Sequence, residues 1–245
     1  EGRIVDFVEK PKLPHISLAS MGIYIFNKQV LAERLTEDAE RIDSPHDFGY
    51  AVIPSMVNRD KVFAYEFDGY WQDIGTAQAY YWSNMELIQQ QPSFTLDSSK
   101  PVFTDMGDLP KPKISPQGSV NNSLVSPGCV VKGQVENSVL SPGVHVEEQA
   151  VVRDSIVMTN AFIDYHSVVD RCILDEEVNV GEFCYIGLGK SLVSGDWDIT
   201  VVGKRVTVPS HTAIGRDCRV LPHVGPHDFP AKTVPSGTVL SHRGR

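Results

Sequence analysis

The sequence predicts an α/β segment followed by a parallel β-helix made of hexapeptide repeats. The main observation is a ladder of aliphatic residues that recur every six positions, in sets of three that begin seventeen residues apart: Leu140, Val146 and Val152, then Val157, Ile163 and Val169, then Leu174, Val180 and Ile186. A step of six matches neither the α-helical period of about 3.6 nor the strand period of about 2. Three such steps make one coil of a triangular β-helix. Coils must stack, because a single coil cannot bury its own hydrophobic face.

The ladder continues at both ends of these sets, at Val125, Val131, Val202, Val208, Ile214 and Val220. We therefore expect four or five coils. Gly128, Gly143 and Gly181 fall near the expected corners, where a residue without Cβ allows conformations that other residues avoid. Residues 187–198 break the period and predict a loop at one corner. A β-sandwich of short strands is the alternative, but it does not explain a fixed step of six.

The bulk composition excludes several classes of partner. The chain has 245 residues, which allows two domains, and a net charge of -9, so no basic surface for nucleic acid or an anionic membrane is expected. No apolar run approaches the roughly 18 residues of a membrane span, and no signal peptide opens the sequence. We expect a cytoplasmic protein with no nucleic-acid or membrane partner. Its four cysteines form no CxxC pair, which favours free structural thiols over disulfides or a zinc site.

The first part of the chain has a mixed α/β pattern. Residues 1–90 form the predicted α/β segment, residues 91–119 a proline-rich linker, and residues 120–245 the β-helix with an irregular C-terminal cap. Within the first segment we expect strands at 1–8, 17–26 and 62–67, and helices at 30–35, in the stretch up to Ile53, and from Ala77 to about Gln90 with Thr76 as N-cap. Residues 1–8 alternate like a strand without a preceding element, so we expect the chain to be a piece of a longer protein.

Four short motifs occur in order along residues 1–90. They are FVEKP at 7–11, ASMGIY at 19–24, HDFG at 46–49 and GYWQDIGT at 69–76. Together they resemble the sugar-1-phosphate nucleotidyltransferases. FVEKP and GYWQDIGT are similar to motifs shared with mannose-1-phosphate guanylyltransferases, whereas ASMGIY and HDFG resemble the glucose-1-phosphate adenylyltransferase branch. The resemblance covers nearly the whole chain and implies that the β-helix is left-handed.

The resemblance implies a reaction that joins a sugar 1-phosphate to the α-phosphate of a nucleoside triphosphate and releases pyrophosphate. The attacking phosphate oxygen is already an anion, so the site needs positioning and charge compensation rather than a side-chain nucleophile. By resemblance Lys10 binds the sugar phosphate and Glu9 accepts hydrogen bonds from sugar hydroxyls. Ser20 and the Asp47–Phe48 pair line the glucose pocket, and Trp71 offers an apolar face near the sugar.

Asp73 is the residue that the resemblance assigns to Mg²⁺, a hard cation that prefers carboxylate oxygens and bridges phosphates. In the family this aspartate works with a second one from the first half of the catalytic domain. Neither that partner nor a glycine-rich, arginine-containing nucleotide loop occurs in this sequence. We therefore expect the glucose 1-phosphate side of a site without most of the ATP side, and no activity of this chain alone.

The family's β-helix helps to form homo-tetramers, and anionic effectors bind near its junction with the catalytic domain. Arg205, Arg216 and Arg219 are possible contacts for such anions, although surface arginines need no such role. The implied pathway is glucan synthesis of the glycogen or starch type.

Three other functions stay open at this point. One is guanylyl rather than adenylyl transfer, because the base-reading loops are absent. A second is a non-catalytic regulatory or oligomerisation subunit, since β-helix faces are natural association surfaces. The third is a hexapeptide-repeat acyltransferase with His145, His166 or His211 as general base, which would need neither FVEKP nor GYWQDIGT.

Overall fold

The computed structural model describes residues 2–12, 18–95, 107–189 and 198–242. The chain divides into two compact units, Glu1–Trp71 and Gln72–Arg245.

The first unit is built around helices. Its elements are α1 (Lys28–Ala39), a π-helical turn (Phe48–Val52) and α2 (Ile53–Val57). Asn27 caps α1, because its side-chain oxygen accepts from the N–H groups of the next turn. Helix α1 thus contains the predicted 30–35 helix and is longer, and the π-turn and α2 occupy the stretch predicted to be helical around Ile53.

The predicted strands of the first unit are wrong for the residues that the structure describes. They form only an isolated antiparallel bridge between Arg3 and Phe63. The alternating apolar side chains stay exposed instead, at 70% for Ile23, 99% for Ile25 and 89% for Tyr65. A strand is stable only when neighbouring strands take up its backbone hydrogen bonds, and this unit offers no such ladder within its described part.

The second unit contains the parallel β-helix, whose short strands stack into three faces. Each described strand pairs in parallel with its equivalent in the next coil. Face I consists of β1 (Lys113–Ile114), β4 (Val130–Val131), β7 (His145–Val146), β10 (Phe162–Ile163), β13 (Asn179–Val180) and β16 (Thr207–Val208). Face II consists of β2 (Ser119–Asn121), β5 (Gln134–Glu136), β8 (Val151–Arg153), β11 (Val168–Asp170), β14 (Tyr185–Leu188), β17 (Ala213–Gly215) and β19 (Thr233–Val234). Face III consists of β3 (Leu124–Val125), β6 (Val139–Leu140), β9 (Ile156–Val157), β12 (Cys172–Leu174), β15 (Thr200–Val202), β18 (Arg219–Val220) and β20 (Val239–Leu240).

The aliphatic ladder is the core of the β-helix, as predicted. On face I, Val146, Ile163 and Val180 are in register on neighbouring strands and fully buried. The expected four or five coils were too few, because the described strands make about seven. One early coil is two residues shorter than the regular seventeen, since Val131 pairs with Val146, whereas Ile114 pairs with Val131 at the regular spacing. Later paired strands are further apart in sequence, since Val180 pairs with Val208. The segment between them contains the predicted loop, and residues 190–197 of that loop lie outside the described residues. These changes of period conceal the end coils from a search for a fixed repeat.

The corners of the β-helix place residues in left-handed backbone conformations. Gly128 and Gly143 have φ values of +78° and +74°, as expected for corner glycines. Gly181 has no positive φ. Its role is different, because a Cβ there would stand 2.7 Å from the backbone nitrogen of Ser210 in the neighbouring coil.

The middle strands of face III, β6, β9 and β12, are buried on both sides because α3 (Ala77–Glu86) packs on their outer surface. Tyr81 and Met85 contact the outward side chains of the face, and the Tyr81 hydroxyl donates a 2.6 Å hydrogen bond to the carbonyl of Asp154. Thr76 caps the helix as predicted, through a hydrogen bond from the N–H of Ala79. The helix ends at Glu86, four residues before the expected end. Strands buried on both faces have continuous apolar sequences, as in Cys172–Leu174.

All four cysteines are free and buried, at Cys129, Cys172, Cys184 and Cys218. Burial raises the pKa of each thiol. They therefore serve as small core residues rather than reactive groups. In the described ranges there is no helix of the length and hydrophobicity that a membrane crossing requires.

Candidate functional site

Two of the four motifs meet at Glu9 and Gly49. The Glu9 carboxylate lies so close to Gly49 that a Cβ on residue 49 would stand 2.5 Å from Glu9 Oε2. Lys10 follows in a left-handed conformation, with φ of +46° and a side chain that is 79% exposed. Its Nζ lies 4.0 Å from Glu9 Oε1, a loose surface pair that contributes little to stability. The arrangement leaves the ammonium group accessible to an anion beside a positioned carboxylate.

A second grouping joins the ASMGIY and HDFG motifs through aromatic rings. Ser20 Oγ lies 3.1 Å from the hydroxyl of Tyr24. The Tyr24 ring stacks on Phe48, with centroids 6.0 Å apart and an interplanar angle of 17°, and Phe26 packs on Phe48 at 5.9 Å. Ser20 and Phe48, both predicted site residues, are therefore connected through Tyr24.

Asp47 has a structural role at the start of the π-helical turn. Its side chain accepts a 2.9 Å hydrogen bond from the N–H of Tyr50, and its carbonyl accepts from the N–H groups of Ala51 and Val52. This N-cap fixes the orientation of the HDFG segment. Beside it lies a cleft of about 260 Å³, lined by Leu35, Asp38, Ala39, His46, Phe48 and Val52.

Trp71, in the first unit, has no described contact with these groupings. Trp71 is partly exposed at the end of the first unit. Asp73 belongs to the second unit, where its Oδ1 accepts a 2.9 Å hydrogen bond from the N–H of Gly75 and its side chain faces solvent.

Sequence reasoning missed three residues of the first unit. Tyr24 and His46 lie inside motifs that identified the resemblance, but no pattern distinguishes a site residue from its neighbours there. Gly49 is recognisable only from the side chain that lies against it.

The histidines considered for acyl transfer have packing roles at the β-helix surface. His145 packs on Phe162 with ring centroids 6.1 Å apart. His166 and His211 stack on the two faces of Phe183, each at 5.1 Å. Ring stacking accounts for their positions.

Two of the three arginines considered for anion binding are paired with carboxylates. Arg205 donates to Glu177 at 2.8 Å, and the buried Arg216 lies 3.1 Å from the carboxylate of Asp170. Arg219 is exposed on the outer side of face III.

Comparisons with known proteins show what the chain is similar to. Residues 1–90 match the family model described as nucleotidyl transferase, and residues 111–200 match the model of the GlmU-like C-terminal hexapeptide. Curated relatives named glucose-1-phosphate adenylyltransferase include that of Acetivibrio thermocellus, 42% identical over 96% of this chain and 57% of the relative. The protein of the same name from Thermomicrobium roseum is 43% identical over 98% of this chain and 58% of the relative. That of Thermotoga neapolitana is 38% identical over 99% of this chain and 60% of the relative. The chain thus spans less than two thirds of the length of these relatives.

Proposed function

Because this chain is a homologue of the glucose-1-phosphate adenylyltransferases, within the sugar-1-phosphate nucleotidyltransferase family, we propose that it supplies the sugar-phosphate side of such an enzyme. The reaction would make ADP-glucose from ATP and glucose 1-phosphate, with release of pyrophosphate. The observation that carries the proposal is that three motifs lie together in the first unit. Glu9 contacts Gly49. Ser20 contacts Tyr24, whose ring stacks on Phe48.

The residues of this unit suit a sugar phosphate. Lys10 presents an exposed ammonium group, which compensates the phosphate charge as a compact cation. Glu9 carries an acceptor-only carboxylate for sugar hydroxyls. Ser20 and Phe48, with Asp47 at the start of the π-turn, would line the glucose pocket, and Trp71 would supply an apolar face. No nucleophilic side chain is required, because the phosphate oxygen of the sugar attacks.

Asp73 is the proposed ligand for Mg²⁺. Within the described ranges no group of three or more histidine, cysteine or carboxylate side chains is placed to hold a metal. Mg²⁺ is commonly bound by one or two protein carboxylates together with substrate phosphates and water, so a single exposed aspartate fits one position of its coordination shell. When bound, the ion would offset the negative charge of the phosphates.

The ATP side of the site is proposed to come from polypeptide that this chain does not contain. The sequence has no glycine-rich nucleotide loop and no second metal-binding aspartate of the family type, while the relatives are considerably longer than the matched region. In the complete protein we expect a homo-tetramer, cytoplasmic localisation and regulation by anionic effectors.

A pyrophosphate-release assay with matched substrate pairs tests this function. The chain is assayed with Mg²⁺ and either ATP plus glucose 1-phosphate or GTP plus mannose 1-phosphate, alone and together with a polypeptide that spans the unmatched part of an adenylyltransferase relative. We expect turnover only in the complemented mixture, only with the ATP pair, and its loss in Asp73→Asn. Turnover by the chain alone would contradict the divided site. Preference for the GTP pair would show a guanylyltransferase instead, and absence of turnover in every mixture would contradict the catalytic assignment.

A further inference from the structure

A closed hydrogen-bond network lies at the end of α1, next to the HDFG motif. The Asp38 carboxylate accepts a 2.6 Å hydrogen bond from Ser44 Oγ and contacts His46 Nδ1 at 3.0 Å. Ser44 Oγ in turn accepts from the backbone N–H of His46 at 3.1 Å. Asp38 and Ser44 are both buried. The hydrogen bonds from Ser44 and His46 lower the pKa of Asp38, so its carboxylate is ionised at neutral pH. An ionised carboxylate only accepts hydrogen bonds, and Nδ1 of His46 must therefore carry a proton.

The backbone of His46 is held in a conformation that is uncommon for residues other than glycine. Its φ is +52°, in the left-handed region. Non-glycine residues in this region carry strain and persist only when their surroundings fix them. Here the surroundings are the contacts of the His46 ring with Asp38 and of the His46 N–H with Ser44.

The backbone conformation of His46 sets the positions of the three motif residues that follow it. The next residue, Asp47, caps the π-helical turn, Phe48 stacks on Tyr24, and Gly49 receives the Glu9 carboxylate. A change of φ at His46 would rotate all three contacts away from their present positions, since each follows it within three residues.

We propose that the Asp38–Ser44–His46 network is a positioning device for the sugar-phosphate site, which acts through His46 Nδ1 on the placement of Asp47–Gly49 and not through contact of Nε2 with the substrate. The identity of the ligand, glucose 1-phosphate, rests on the proposed function. The positioning role of the network rests on the geometry alone. His46 is a positioning residue in this scheme, and Asp38 fixes its tautomer.

Two substitutions at His46 separate positioning from ligand contact. His46→Asn keeps a side-chain donor near the place of Nδ1, and asparagine tolerates left-handed backbone. His46→Gln keeps a donor near the place of Nε2 but removes the one that faces Asp38. We expect the dissociation constant of glucose 1-phosphate, measured by calorimetry on the whole chain, to stay within about twofold in the asparagine variant. It should rise on the order of tenfold in His46→Gln and in Asp38→Asn, because each loses a hydrogen bond that involves a charged group.

A readout without ligand keeps the inference testable if binding is weak. Nitrogen-detected imidazole spectra of the unmodified chain should show His46 protonated at Nδ1 at neutral pH. The amide signals of Asp47, Phe48 and Gly49 should shift in His46→Gln and stay in place in His46→Asn. Protonation at Nε2 alone, or unchanged amide signals in every variant, would overturn the proposal.

The chain contains a matched control in its C-terminal cap. His242 Nδ1 lies 3.0 Å from the buried carboxylate of Asp228, the same distance as in the His46–Asp38 pair. His242→Gln should leave glucose 1-phosphate affinity and the Asp47–Gly49 signals unchanged. Binding retained by His46→Gln but lost by His46→Asn would show that Nε2 touches the ligand and would overturn positioning. If the unmodified chain shows no affinity for glucose 1-phosphate, the proposed function fails, whereas the spectra still decide the positioning role.

Discussion

Glu9 lies against Gly49, forty positions further along the chain, with its carboxylate where a side chain on residue 49 would begin. This contact requires glycine for a reason of space rather than backbone angle, since a Cβ would stand 2.5 Å from Glu9 Oε2. It joins the FVEKP and HDFG motifs into one surface.

Gly49→Ala should therefore displace the Glu9 carboxylate. We expect glucose 1-phosphate affinity to fall on the order of tenfold, as for the loss of a hydrogen bond to a charged group. The free energy of unfolding should change by less than about 1 kcal/mol, because the displaced atoms are the end of a flexible side chain. Calorimetric binding and thermal melting measure the two effects. Gly225→Ala is the control, since a Cβ there makes an ordinary 3.8 Å contact. Unchanged binding in Gly49→Ala would show that Glu9 takes no part in the site.

Tyr81 anchors α3 to the β-helix through its ring and its hydroxyl. Tyr81→Phe removes only the 2.6 Å hydrogen bond to the Asp154 carbonyl and should lower the free energy of unfolding of the second unit by about 0.5–1.5 kcal/mol. Tyr81→Ala should cost about 3–5 kcal/mol, because it also opens a cavity over face III. Urea unfolding followed by circular dichroism gives both values. The exposed Tyr65 provides a Tyr→Phe control without effect, and equal losses in the two Tyr81 variants would contradict a docking role for the ring.

Asp170 links two arginines inside face II. Burial alone would raise its pKa, but the hydrogen bond from Arg153 and the charge of Arg216 bring it below the ordinary value. A lowered pKa in the folded state stabilises the fold at pH values above the unfolded pKa of about 3.9. This stabilisation is lost as the pH falls through the folded pKa.

Asp170→Asn should consequently destabilise the β-helix at pH 7 by about 3–5 kcal/mol, the cost of removing one partner from a buried ion pair. Between pH 5 and 2 (about the range over which such a carboxyl titrates) its stability should fall less than that of the unmodified chain. Urea midpoints across this range provide the test. Glu177→Gln, in an exposed pair with Arg205, should leave the stability nearly unchanged, because solvent screens exposed ion pairs. A parallel loss of stability in Asp170→Asn and the unmodified chain would show that another group titrates.

Phe183 occupies a left-handed corner position, with φ of +55°, between the rings of His166 and His211. Two effects oppose each other there. Backbone strain destabilises the fold by about 1–2 kcal/mol, and each ring pair stabilises it by about 0.5–1.5 kcal/mol. Phe183→Ala keeps the strain and loses both stacks together with the edge contact to Tyr165, so it should destabilise by about 1.5–4.5 kcal/mol. Phe183→Gly relieves the strain and should be more stable than the alanine variant, a comparison that urea unfolding makes directly. An alanine variant as stable as the unmodified chain would show that stacking contributes nothing.

The β-helix was predictable from sequence because each inward residue is both aliphatic and periodic. The end coils were not, since Val131–Val146 and Val180–Val208 depart from the regular period. The strands expected at 17–26 and 62–67 have the right alternation, but strand formation needs partners that the described chain does not provide.

The candidate site was predictable only in part. Glu9, Ser20 and Phe48 were identified through the resemblance. The structure places Glu9 and Phe48 beside a second motif, whereas Ser20 contacts Tyr24 of its own motif, which stacks on Phe48. The motif sequences do not reveal that Asp47 caps a helical turn, that Gly49 leaves space for Glu9 or that His46 is hydrogen-bonded to Asp38. Those relationships depend on contacts between segments distant in the chain, or on the local backbone, neither of which a pattern of residue types encodes.

The most direct test of the central claim is a calorimetric titration of this chain with glucose 1-phosphate in the absence of nucleotide. We expect saturable binding, preference over mannose 1-phosphate, and a loss on the order of tenfold in Lys10→Met, because the sugar phosphate loses its charge-assisted hydrogen bond. Lys12→Met, two residues along, is the matched control and should bind like the unmodified chain. No saturable binding, or equal affinity in Lys10→Met and Lys12→Met, would contradict a sugar-phosphate site at Glu9 and Lys10.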